Sequence, residues 1–420
     1  MSGKVDSIHI RGGNALFGET QIQGSKNAVL PVMAAALLTE DVCVIENCPR
    51  ISDVIHMQNL LTKIGCKLSR KGRNLVIDAR EVSEDYMEGE SVTGMRSSSM
   101  LLGAMLGRTG HITMAYPGGC VIGKRPIDMH LNALAKMGVV IEEKEGAFTA
   151  WAKRLEGNVI KLPFASVGAT ENIIMAAVKA NGITIIDNAA KEPEIVTLCD
   201  FLQRAGAVLE GAGESLLMIK GVNKLHGIQF RIPGDRIVAG TYLFSVLGTG
   251  GHIFLKDAPT RQMLSVMRTA AMMGADIEIS KDGLSVLAEP ARIPIPYVKT
   301  EVYPGFPTDL QSPLMAVLSV GEGTCIIEET IFEDRFKMAQ ELAKMGAQIK
   351  IDGKQAFITG VPKLVGCEVS AGELRGGAGL VIAGCMAEGE TVVKNRHFIE
   401  RGYEDICRDY QNLGVNIYTG

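Results

Sequence analysis

Apolar and polar positions along the chain repeat with a period near 70 residues. Six times, an apolar stretch at helical spacing ends in a glycine that precedes a short alternating run: Gly65, Gly138, Gly206, Gly274, Gly346 and Gly414. These glycines lie 73, 68, 68, 72 and 68 residues apart. Such a period means one supersecondary unit used repeatedly. In the first unit the pattern predicts a polar turn at 24–27, an apolar helix over 28–38 and a strand over 42–46. A loop follows at 49–53, then a second helix from Val54 to the marker glycine. Two strands, at 66–68 and 74–78, close the unit. A glycine suits the C-terminus of the second helix.

The first helix of each unit is apolar nearly all round, as at 31–36, 100–106, 173–178, 239–244, 315–318 and 379–385. A helix of that kind is buried on every side. The fold class expected is therefore α/β, with helices packed inside each domain and sheets with further helices outside. The sixth unit is short, because Gly414 is followed by 415–420 alone, enough for one strand. The alternation it lacks stands at Ser7, Ile8, His9 and Ile10. The expected organisation is two domains of three units each. One spans 26–233; the other is discontinuous, 1–25 with 234–420, with crossings near Gly24 and near Pro233.

Composition narrows the class of protein. The chain has 420 residues, 46% hydrophobic and 21% charged, which is ordinary for a globular protein with ample core. A net charge of −4 argues against a general nucleic-acid binder. No apolar run approaches the roughly 18 residues of a membrane helix, and the N-terminus lacks the apolar stretch of a signal peptide. Nine cysteines, an odd number with no C-x-x-C pair, suggest reduced thiols in a cytoplasmic protein. The seven histidines show no metal-ligand spacing, so no structural metal is expected.

Charge recurs with the repeat. Lys26, Arg96, Arg236 and Arg375 fall at starts of first helices, and Arg125, Arg335 and Arg401 at starts of second helices. One such cation is an ordinary solvated side chain. Seven at equivalent places, beside helix N-termini that themselves favour anions, predict a cleft for a small polyanionic substrate. The second unit adds a loop with Pro117, Gly118, Gly119, Cys120 and Gly123, followed by Lys124, Arg125, Pro126, Ile127 and Asp128. Its glycines suit a mobile lid, and the two cations favour the Cys120 thiolate.

These residues carry a resemblance. With Gly24, Ser25, Lys26 and Asn27, Ser166, Val167, Gly168, Ala169 and Thr170, the segments 188–194 and 303–309, and Arg401, Gly402 and Tyr403, the chain resembles the UDP-N-acetylglucosamine enolpyruvyltransferases. The resemblance covers essentially the whole chain. It implies two inside-out α/β barrels of three units each, in agreement with the period. It also implies transfer of the enolpyruvyl group of phosphoenolpyruvate to the 3′-hydroxyl of UDP-N-acetylglucosamine, with release of phosphate and no cofactor. Carried over by motif, Cys120 is the general acid and Asp309 the base at the sugar hydroxyl, although an Asp after Thr is commonly a helix cap. Lys26, Arg125 and Arg401 would hold phosphoenolpyruvate, with Asn27 beside Lys26. The nucleotide-sugar site would draw on Arg96, Arg125, Pro126, Ile127, Asp128, Met129, Ser166, Val167, Gly168, Asp309 and Ile331. Arg335, Glu373 and Arg375 would complete it, and Ser166 also reads as a simple cap. The family commonly has Asp where this chain has Glu373, and some relatives have His where it has Phe398. The rivals are 5-enolpyruvylshikimate-3-phosphate synthase, which lacks the Cys120 loop, and an inactive repeat protein that binds a nucleotide sugar.

Overall fold

Among the described residues, each of six sheets has four strands in one order and one sense. The computed structural model describes residues 6–82, 86–87, 99–116, 127–144, 146–290 and 295–420. In the first sheet, Gln229–Arg231 runs parallel to Val42–Glu46, which pairs antiparallel with Asn74–Asp78, which pairs antiparallel with Lys67–Lys71. The other five sheets repeat this arrangement. In the sixth, the inner strand is Ser7–Arg11, which pairs antiparallel with both Glu390–Lys394 and Asn416–Thr419. The N-terminal segment thus fills the place that the short sixth unit leaves vacant.

The chain divides into two compact units, one made of described residues within 24–233 and the other of 6–23 with 234–420. The first boundary falls between Gln23 and Gly24. The Ser25 backbone N–H donates to Pro233 O at 2.9 Å, and the Asp235 N–H donates to Gln23 O at 2.8 Å, so each crossing is tied to its own side. Each unit has its own apolar core.

All six marker glycines have positive φ, from 87° at Gly414 to 105° at Gly206. Each stands just past its second helix, where the chain must turn into the outer strand. An L-residue there would cost roughly 1–2 kcal/mol. The first helices are buried as their composition requires: every residue from Ala28 to Ala35, and all but the last of Leu374–Met386, is buried. Small residues allow close approach. A Cβ on Gly103 would meet Asn172 O at 2.2 Å, where helices Leu101–Thr109 and Val167–Ala177 pack.

Local boundaries differ from the sequence pattern in several places: the second helix of the first unit starts at Ser52, inside the expected loop at 49–53, and the strand expected at 66–68 is Lys67–Lys71. The first apolar helix starts at Lys26, with Ser25 as its cap, and tightens into a 3₁₀ turn over Ala36–Thr39. The start of unit five is a 3₁₀ turn, Thr308–Leu310, before the helix Gln311–Leu318. Asp309 therefore lies inside a turn and is not a cap.

Candidate active site

Arg96, Cys120, Arg125 and Pro126 lie outside the described residues. The remaining candidate residues fall into two groups, one in each unit.

In the unit built from 24–233, Lys26 and Asn27 open the helix that Ser25 caps. The Lys26 ammonium is 2.8 Å from Asp53, whose side chain is 3% exposed. Asn27 Nδ2 donates to Glu194 Oε1 at 3.4 Å. Asp53 and Glu194 both sit in the first turn of a second helix, Ser52–Lys63 and Pro193–Arg204. An acid is favourable at such a helix start, and here it also orients the residue next door. Glu171, on the helix Val167–Ala177, is 1% exposed. Burial, reinforced by Glu194 and Glu192, holds its carboxyl well above the ordinary range.

Ser166 caps the same helix, its hydroxyl accepting from the Ala169 N–H at 3.4 Å. Gly168 faces a buried histidine: a Cβ there would lie 3.0 Å from His130 Cε1, and His130 Nδ1 is 2.9 Å from Asn172 Nδ2. Val167 is the first residue of this helix, half-buried. Ile127 is buried, Asp128 exposed and Met129 half-buried at the start of the helix Asp128–Lys136.

In the other unit, Asp309 accepts hydrogen bonds from two arginines, Arg335 at 2.8 Å and Arg375 at 2.9 Å. Both arginines are nearly inaccessible, 3% and 2% exposed. Burial works against the charge on Arg375, but Asp309, then Tyr403 and Asp235, hold the guanidinium above its ordinary range. Arg335 also donates to Thr308 O at 3.3 Å. Glu373 caps the helix Leu374–Met386, accepting from the Arg375 N–H at 2.8 Å and from the Gly376 N–H. Its other contact is Arg335, 3.8 Å away. Ile331 is half-buried, its N–H donating to Glu329 Oε1 at 2.8 Å.

Arg401 ends the 3₁₀ turn Arg396–Arg401 and is half-buried. Gln23 fixes the chain just beyond it, donating from Nε2 to Gly402 O at 3.0 Å and accepting from the Glu404 N–H at 2.8 Å. Tyr403 is buried, with its hydroxyl 2.7 Å from Thr241 Oγ1.

The structure therefore brings Asp309 together with Arg335, Glu373 and Arg375, while Lys26 and Asn27, neighbours in the sequence, reach different acids, Asp53 and Glu194. Sequence reasoning missed the supporting acids Asp53, Glu194 and Glu329, and the clamp Gln23. Asp53 and Glu194 could have been found from their shared place one residue into a second helix. Gln23 carries no local signal, because its partners are about 380 residues away.

The eight described cysteines are free thiols, seven of them buried and Cys367 half-buried. Burial pushes Cys66, Cys199, Cys325 and Cys407 up to about 12. Among the described residues no group of His, Cys, Asp and Glu is placed to hold a metal ion, and no helix is long and apolar enough to cross a membrane.

The fold is that of the enolpyruvyl transferases. It superposes on the enolpyruvyl transferase NikO from Streptomyces tendae with a TM-score of 0.89 over 99% of each chain, at 22% identity. The sequence matches the EPSP synthase (3-phosphoshikimate 1-carboxyvinyltransferase) family over residues 10–409, and the chain belongs to that family. Within it, the chain is 45% identical to UDP-N-acetylglucosamine 1-carboxyvinyltransferase 2 of Caldanaerobacter subterraneus subsp. tengcongensis, over 98% of this chain and 99% of that one. It is 42% identical to UDP-N-acetylglucosamine 1-carboxyvinyltransferase 1 of the same organism, over 96% and 97%.

Proposed function

We infer that the protein transfers the enolpyruvyl group of phosphoenolpyruvate to the 3′-hydroxyl of UDP-N-acetylglucosamine. The observation that carries this reading is the 45% identity, over nearly both whole chains, to a protein of that name. The Cys120 loop supports it against the shikimate reaction.

The chemistry is addition followed by elimination. The Cys120 thiol gives a proton to C3 of phosphoenolpyruvate as the sugar 3′-oxygen bonds to C2, and the hydroxyl proton passes to Asp309. The product of this step is a tetrahedral phospho-ketal. Loss of phosphate from C2 and of a proton from C3 restores the vinyl group in the product. Lys26, Arg125 and Arg401 hold the carboxylate and phosphate of phosphoenolpyruvate, and their charge is best matched where negative charge grows. Asn27 steadies the same substrate beside Lys26. Arg96, Arg125, Pro126, Ile127, Asp128, Met129, Ser166, Val167, Gly168, Asp309 and Ile331 serve the nucleotide sugar. Arg335, Glu373 and Arg375 frame Asp309. The reaction takes place in the cytoplasm, commits the sugar to peptidoglycan, and is open to block by electrophiles of the fosfomycin type at Cys120.

The test is phosphate release in two mixtures. Phosphoenolpyruvate with UDP-N-acetylglucosamine should release phosphate, and phosphoenolpyruvate with shikimate 3-phosphate should not. Release only in the second mixture, or in neither, overturns the reading.

A further inference from the structure

The residue that follows the second strand of each sheet is Asn or Asp in four units; units two and five depart from this, with Tyr116 and Glu329. Asn47, Asn188, Asp257 and Asn395 occupy this place in units one, three, four and six, all with φ between 54° and 63°. The three asparagines use the side-chain amide to bind the carbonyl just past the neighbouring parallel strand, at Ile232, Leu162 and Ala371. In unit five the place belongs to Glu329, whose φ is not positive. The equivalent carbonyl, Thr300 O, is bound instead by the hydroxyl of Thr330. Thr330 thus takes over the asparagine's task, and Glu329 is released for another.

That other task is visible in its contacts. Glu329 is 1% exposed, and each carboxylate oxygen is used. Oε1 accepts from the Ile331 N–H at 2.8 Å and the Phe332 N–H at 3.1 Å. Oε2 accepts from Thr308 Oγ1 at 3.0 Å. One side leads to the segment carrying Ile331 and Arg335, the other to the turn carrying Asp309. Charge-assisted hydrogen bonds of this kind are short and directional, so a buried carboxylate is a good brace.

We propose that Glu329 is a positioning residue for the nucleotide sugar: it braces the Asp309 turn against the Ile331 segment without touching substrate. This rests on the proposed function, in which both segments serve the nucleotide sugar. Asp257, the carboxylate at this place in unit four, is exposed, whereas Glu329 is buried and joins the two segments, and Thr330 supplies the bond that the asparagines make elsewhere.

The experiment measures phosphate release by the wild-type chain, Glu329→Asn, Glu329→Gln and Thr308→Val, with each substrate varied in turn. Glu329→Asn installs the sibling residue, which the fold accepts elsewhere, but it is too short to reach all three donors. Its KM for UDP-N-acetylglucosamine should rise about fivefold or more, the scale of one lost hydrogen bond, while KM for phosphoenolpyruvate stays within about twofold. Glu329→Gln can still accept from the two N–H groups and donate to the Thr308 hydroxyl, so it should restore most of the affinity. Thr308→Val should shift KM in the same direction, by less. Unchanged KM in the Asn variant, or an equal change for both substrates with a lowered melting temperature, overturns the proposal. If the Asn variant does not fold, Thr308→Val decides: a selective rise supports the brace and no change overturns it. Inactivity of the wild-type chain would instead overturn the proposed function.

Discussion

Asp309 and Arg375 form an ion pair of 2.9 Å in which the arginine side chain is 3% exposed and the acid 26%. The second Asp309 oxygen takes Arg335 at 2.8 Å, another side chain almost out of reach of water. One acid thus answers two buried cations and keeps an open face. That partial exposure is compatible with the proton-accepting role proposed for Asp309.

Replacing Asp309 by Asn should therefore do two things. Turnover should fall by roughly two to four orders of magnitude, as for a general base. Stability should fall too, though by less than the roughly 3–5 kcal/mol of breaking a fully buried pair, because the acid is a quarter exposed. Steady-state rates and denaturant titration separate the effects. Near-normal turnover with reduced stability would leave Asp309 as a counter-ion alone.

Glu373 caps the helix Leu374–Met386 at the place where the resemblance leads one to expect Asp. Asp is the better capping residue, because its shorter side chain meets the N–H groups of the first turn with less conformational freedom to lose. Glu373→Asp should keep turnover within a few-fold and hold or raise the melting temperature. Glu373→Ala should cost about 1 kcal/mol of stability, the usual worth of a cap. Glu373→Gln should slow turnover about tenfold, equivalent to about 1.4 kcal/mol of barrier, because Arg335 loses its second anionic neighbour. Equal rates for Gln and Glu with a slow Asp variant would show that reach governs this position.

Much of the fold was legible because a repeat states its own rule. A glycine at the end of each second helix needs positive φ, and nothing in the tertiary structure can hide that requirement. The apolar first helices were equally plain, since a helix without a polar face has no solvent side. The candidate site was put forward from its cations, which stand out from an apolar background at equivalent positions; Arg96 and Arg125 among them lie outside the described residues. It was not legible in its supports. The bonds from Glu329 to Thr308 and from Gln23 to Gly402 join segments that are 21 and 379 residues apart in the chain. Nor did the sequence reveal that Arg335 and Arg375 are buried, because an arginine reads as a surface residue until its partner is known.

A thiol at Cys120 should be chemically distinct from the others. The remaining eight lie in or against the two cores, and burial raises the four named above far beyond neutral pH. A thiol reacts as its thiolate, so these should stay inert. Treatment with a phosphonate epoxide should leave one adduct, on Cys120, and abolish turnover. Cys120→Asp should escape the adduct and still turn over, because a carboxylic acid can also give the proton. Peptide mass spectrometry locates the adduct, and its appearance on Cys199 or Cys66 would contradict the assignment.

Glu171 predicts how stability varies with pH. Its carboxyl is 1% exposed, and neither oxygen has a hydrogen-bond partner among the described residues. Burial first, and Glu194 and Glu192 after it, keep the proton on in the folded chain well above the ordinary carboxyl range. The unfolded chain releases that proton near pH 4.3. Above this value the unfolded state binds fewer protons than the folded one, so stability falls as pH rises, by about 1.4 kcal/mol per pH unit until the folded carboxyl titrates. Glu171→Gln keeps the shape of the neutral acid and has no proton to lose. The variant should match the wild type at pH 4 and become progressively more stable than it toward pH 8. Denaturant titration of both proteins across that range is the measurement. Parallel curves would mean that Glu171 is ionised in the fold and has a partner there.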